Sequence, residues 1–241
     1  MNVFLLFEEL VKSETKYSYR LVILPETIGA ISFLAKSNVS KVVGGMILTC
    51  LAGPDKLSIK EGFNNKHWIN EAAHFALKSV VGEDYIRYPF VPDGSDERQY
   101  SSPGIRIVTP SIHKSKYYEY DEYHTSADNL DYISKDNLKT SLEVYKLWVK
   151  YIESYTFPKR LQSRCEYQLG KRDLYPNLGG TINQLANDKK NNCYDEYKSN
   201  SENNSLITEE SIEAFQWIMH LGDGKHSNFD IARLSGLSID L

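Results

Sequence analysis

Residues 42–51 read VVGGMILTCL, a run without a single charge, and nothing else in the chain limits its fold as strongly. A segment this short and apolar fits a strand covered on both faces, as in a parallel sheet with helices on either side. Residues 17–24 (YSYRLVIL) are rich in aromatic and β-branched side chains and stop at Pro25, which predicts a second strand. Between the two, Ile28, Ile31, Phe33 and Leu34 are spaced as in a helix over residues 27–36. Strand, helix and strand in succession are the rhythm of an α/β sheet.

The rest of the chain extends that pattern. Val3, Leu6, Phe7, Leu10 and Val11 form the apolar stripe of an amphipathic first helix, which must lie on something. Residues 64–80 predict a helix around Trp68, Ala72, Phe75 and Leu77, and residues 105–109 (IRIVT) a short strand. A long helix over residues 135–155 ends before Pro158. Residues 183–204 turn to Asn, Lys, Asp, Glu and Ser, the composition of a solvated linker. Beyond it, residues 209–221 predict a helix stopped by Gly222 and Gly224. Ser227 caps a shorter helix, and Ser235-Gly236-Leu237 has the form of a helix-turn-helix turn whose next helix is not present before Leu241. The expected organisation is an α/β domain over residues 1–157, a connecting segment and polar linker over 158–205, and a small module over 206–241.

Bulk properties narrow the function classes. A hydrophobic content of 41% suits a globular core, and a net charge of −4 gives no general attraction to nucleic acid or an anionic membrane. Cys50, Cys165 and Cys193 are odd in number and far apart, which argues against a disulfide framework and for a reducing compartment, with the cytoplasm as the expected location. No stretch reads as a signal h-region or a membrane span.

Three stretches could carry chemistry. Glu26 follows a predicted strand, where open α/β sheets bind ligands; it could move a proton or could serve the dipole of the next helix. Residues 93–100 (DGSDERQY) crowd carboxylates before a strand. They could hold a metal or a ligand histidine, or form an N-terminal cap from Ser95 or Asp96 with Glu97 and Arg98 in solvent. Residues 122–134 (EYHTSADNLDYIS) place His124 in a polar loop with Asp128 and Asp131 nearby, free to ligate zinc or to remain a surface residue. Adjacent Lys171 and Arg172 suit an anion, or a solvated loop.

Taken in order, Glu26 with Gly29, GSDERQY with PGI, and EYHTSADNLDYIS resemble the zinc aminopeptidases built on a mixed eight-stranded sheet. CEYQLGKRDLYP from Cys165 and DGKHSNFDIARLSGL from Asp223 narrow the likeness to the aminopeptidase-like family found beside bacterial polysaccharide-biosynthesis genes, which carries a C-terminal winged helix. The resemblance implies a partial aminopeptidase-like mixed sheet flanked by helices, followed by an incomplete winged-helix-like module. By that likeness Glu26 is the candidate general base, His124 a zinc ligand, and Asp96 a ligand or its supporting partner. Tyr123, Lys171 and Arg172 are the substrate-binding candidates, and the substrate is peptide-like or another amide. The family's first ligands, a histidine and an aspartate, belong to a region preceding the first helix that has no counterpart here, and Cys50 stands where the wider group has a metal-binding aspartate. The expectations are therefore an N-terminally truncated or split protein with an incomplete zinc site and no activity alone, able to pair with an N-terminal partner chain or with itself. A competing expectation is a non-catalytic binding or regulatory module acting through the tail. Lys225, His226 and Arg233 are too few for that tail to favour DNA.

Overall fold

The computed structural model describes residues 2–165, 167–168 and 209–240. They fall into two compact units, Met1–Tyr155 and Thr156–Leu241. In the first, helices α1 (Asn2–Lys12), α2 (Ile28–Lys36), α3 (Trp68–Val81), α4 (Glu97–Tyr100) and α5 (Lys135–Ser154) accompany strands β1 (Ile47–Leu48), β2 (Ser58–Lys60), β3 (Ile86–Tyr88) and β4 (Ser111–His113). The strands lie in the order β1-β4-β2-β3, with β1–β4 and β2–β3 parallel and β2–β4 antiparallel. This is the mixed α/β sheet with helices that the sequence predicts.

The two central strands have the same short pattern, Ser-Ile-Lys in β2 and Ser-Ile-His in β4. Because side chains alternate, the pattern divides the sheet into an apolar and a polar face. Ile59 sits opposite Ile112, and both are fully buried. Ser58, Lys60, Ser111 and His113 share the other face and are buried too. Helices α3 and α5 pack together, α3 offering Ala72, Ala73 and Ala76 and α5 offering Val144, Trp148 and Ile152. The small residues let the large rings approach, and the Trp148 indole donates to the Ile69 carbonyl at 3.1 Å. Tyr145 ties α5 to the sheet by donating its hydroxyl between the Ile47 carbonyl at 2.7 Å and the Ile112 carbonyl at 2.9 Å.

Three strand expectations are corrected. Of residues 42–51 only Ile47–Leu48 are a strand, and Val42 and Val43 are exposed. One edge of this run is paired: Gly45 N–H donates to Val108 O at 3.0 Å and Ile47 N–H to Pro110 O at 3.1 Å. A Cβ on Gly44 would lie 1.7 Å from Ile69 Cδ1, so a larger residue there would have to displace the Ile69 side chain. Residues 17–24 form no strand, because no neighbouring backbone pairs with them among the described residues. Residues 105–109 are not a strand either: Arg106 has φ 56°, and β4 begins at Ser111. Strands β2 and β3 are additions that the sequence reading did not contain.

The second unit holds α6 (Glu209–Leu221) and α7 (Asn228–Ser235). A reciprocal capping box starts α7: Asp230 N–H donates to Ser227 Oγ at 3.1 Å and Ser227 N–H to Asp230 Oδ2 at 3.0 Å. Gly236, at φ 73°, ends it in the left-handed conformation. The expected linker over 183–204 lies outside the described residues. No helix among the described residues is long and apolar enough to cross a membrane.

Candidate active site

Glu26 stands at the entrance of a rare turn. Thr27 has φ 62° and ψ −68°, and Ile28 N–H donates to Glu26 O at 2.7 Å, which is the geometry of a γ-turn of the strained hand. Positive φ on a β-branched residue costs of order 1–3 kcal/mol and persists only where neighbours impose it. Here they come from α4. The Asp96 carboxylate accepts Thr27 N–H at 2.7 Å, and Arg98 donates to Thr27 Oγ1 at 3.1 Å. Thr27 occupies the position before α2 without a side-chain cap bond.

Helix α4 is anchored from beneath by a buried ion pair. Lys60 Nζ lies 2.7 Å from Glu97 Oε1, with both side chains 1% exposed, and Tyr117 donates its hydroxyl to the same oxygen at 2.8 Å. Glu97 is therefore not in solvent, which corrects the sequence reading. Asp96 precedes α4 but makes no cap bond to it, its Oδ1 being engaged by Thr27. Gly94, at φ 99°, closes the loop over the pair; a Cβ there would lie 2.4 Å from Tyr117 Oη and 2.8 Å from Lys60 Nζ. The alternation of polar and apolar residues in Ser-Ile-Lys and Ser-Ile-His is the signal by which sequence could have found this cluster.

His124 is exposed, at φ 58°, and its ring stacks on Tyr123 with centroids 3.9 Å apart. Tyr118 meets both rings edge-on, at 4.9 Å and 6.5 Å. Burial pushes the Tyr123 phenol up to about 12, with the neighbouring Tyr118 and the charge of Glu26 adding to the shift. Burial likewise raises Asp96; its bond from Thr27 N–H opposes this, while the charge of Glu26 adds to it. Glu26 is thus felt by Asp96 and by Tyr123, and Tyr123 carries His124. Cys50 is half-buried at φ 52°, and burial pushes its thiol up. Thr27, Cys50, Tyr118 and His124 all hold positive φ around this surface, a concentration of backbone strain typical of functional sites.

A metal is a separate matter. Among the described residues no three of His, Cys, Asp or Glu are grouped to hold an ion. Zinc sites use three or four protein donors, so these residues do not fit zinc by themselves. Lys171 and Arg172 lie outside the described residues. In the second unit Arg233 is paired with Asp230 at 2.7 Å and His226 with Asp223 at 3.2 Å, while Lys225 is exposed.

The chain is 35% identical over 232 residues, 95% of its length, to a Clostridium acetobutylicum protein named for polysaccharide biosynthesis and an aminopeptidase-like domain, of which it covers 47%. A crystal structure of a Clostridium acetobutylicum protein named as a peptidase superposes with a TM-score of 0.78 at 32% identity, covering 99% of this chain and 48% of that one. The chain therefore spans about half the length of these relatives. The Clostridium structure supports the mixed α/β fold, and the profile of one family matches residues 1–155: the chain belongs to the family described as a domain of unknown function (DUF4910).

Proposed function

We propose that the chain carries part of the cleft of an aminopeptidase-like amide hydrolase. Glu26 is the carboxylate that takes a proton from attacking water and returns it to the leaving amine. Asp96 sets the backbone on which Glu26 stands, and Tyr123, stacked on His124, is near enough to feel the Glu26 charge. The observation that carries this reading is the strained turn at Thr27, held by Asp96 beside an exposed carboxylate. The relatives' names support it. The resemblance implies zinc, with His124 and Asp96 as donors, yet these two with Glu26 do not make a set of three. Taken by itself, the chain is therefore a hydrolase part without turnover. Zinc content and aminopeptidase activity of the purified chain test this, and stoichiometric zinc with turnover would overturn it.

A further inference from the structure

Two segments of the candidate site cannot place themselves. Helix α4 is four residues long, too short to hold its own shape in water, yet Asp96 at its start governs the Thr27 turn. Residues 117–132 contain no strand or helix, and Tyr118 at φ 66° and His124 at φ 58° are strained. Backbone of this kind persists only where contacts impose it.

Both sets of contacts meet at one oxygen. Glu97 Oε1 accepts Lys60 Nζ at 2.7 Å, the Tyr117 hydroxyl at 2.8 Å and the Ser95 N–H at 3.3 Å. Lys60 also donates to the Asp93 carbonyl, so the pair holds the loop leading into α4 as well as the helix. On one side Glu97 adjoins Asp96, which grips Thr27. On the other, rings run outward: Tyr117 meets Tyr118 edge-on at 5.6 Å, Tyr118 meets Tyr123 at 4.9 Å, and Tyr123 stacks on His124 at 3.9 Å. Such pairs fix mutual orientation as well as contact. Burial, then the charge of Glu97, keeps the Tyr117 phenol well above its usual range, so its hydroxyl remains a donor.

An ion pair with both side chains 1% exposed is a poor source of stability, because apolar residues of the same volume commonly serve as well. What the carboxylate adds is direction. It accepts from β2, from the loop before α4 and from the stretch after β4, and charge-assisted bonds hold the three in one arrangement. We propose that Lys60, Glu97 and Tyr117 are positioning residues, a single buried node that sets the Asp96–Thr27 turn beside Glu26 and the Tyr123–His124 stack together, so that neither moves without the other. That the node serves catalysis rests on the hydrolase reading; the coupling itself belongs to the fold.

The test reads both ends by NMR in the purified 241-residue chain, with no metal or substrate added. Tyr117→Phe removes one hydroxyl and keeps the ring. It should speed exchange of the Thr27 amide about tenfold or more, and it should also move the His124 ring protons downfield, since the Tyr123 face holds them upfield. Tyr145→Phe controls for general loosening: it removes a buried hydroxyl of the same unit, bonded to Ile47 and Ile112, and should change neither signal. The volume-keeping pair Lys60→Met with Glu97→Leu, checked for folding by circular dichroism, should change both. The proposal is overturned if Tyr117→Phe or the folded double variant changes only one signal or neither, or if Tyr145→Phe changes both as much. Failure of the hydrolase reading would show in zinc content and turnover, which these signals do not report.

Discussion

The Asp96 carboxylate accepts the backbone N–H of Thr27 at 2.7 Å, joining residues 69 apart in sequence. Removing that acceptor releases a strained backbone. Asp96→Ala should lower stability by about 2 kcal/mol, the worth of a hydrogen bond to a charged group. In a Thr27→Gly background the same change should cost less, because glycine holds positive φ without strain. Urea denaturation of the four chains measures the difference.

Breaking the Lys60–Glu97 pair leaves an uncompensated charge where both side chains are 1% exposed. Lys60→Met and Glu97→Leu should each cost about 3–5 kcal/mol, and the double variant well under their sum. Equal additive losses in a denaturation cycle would contradict this.

Gly94→Ala should be among the most damaging small changes, at about 3 kcal/mol. It adds strain at φ 99° to an overpacked contact with Tyr117 and Lys60. The expected signature is a fall in the thermal midpoint larger than that of Gly104→Ala, where a Cβ meets nothing within 4 Å.

Acid lability should depend on His113. Burial, then the charges of Lys116 and Lys60, lower its pKa from 6.5 to about 3, and neither ring nitrogen has a hydrogen-bond partner among the described residues. The unfolded chain takes up a proton as pH falls through 6.5, while the folded chain does not until about 3. Stability is therefore complete above that upper value and is lost towards the lower one, at about 1.4 kcal/mol per pH unit from this side chain. His113→Phe keeps a ring against Tyr117 and should flatten the slope between those limits, as read from denaturation midpoints across that range.

Helices were legible where a single face carries the message. The apolar stripe of α5, the Ser227 cap and the turn at Gly236 are local patterns, set by a period of 3.6 residues and by unsatisfied end groups. Strands were less so. Residues 17–24 have strand-forming side chains, yet a strand exists only when a second backbone supplies its hydrogen bonds, and none does among the described residues. Glu97 shows the same divide: in sequence it is one carboxylate of an acidic loop, and only the approach of β2 makes it the partner of Lys60.

The order of residues alone determined the α/β class, the positions of the helices and the candidates Glu26, Asp96 and His124, because periodicity, capping and residue chemistry act over a few neighbours. Tertiary structure decided which carboxylate is buried, which backbone is strained, and that Asp96 grips Thr27. Those depend on contacts between segments distant in the chain, where burial and geometry, not local preference, set the energy.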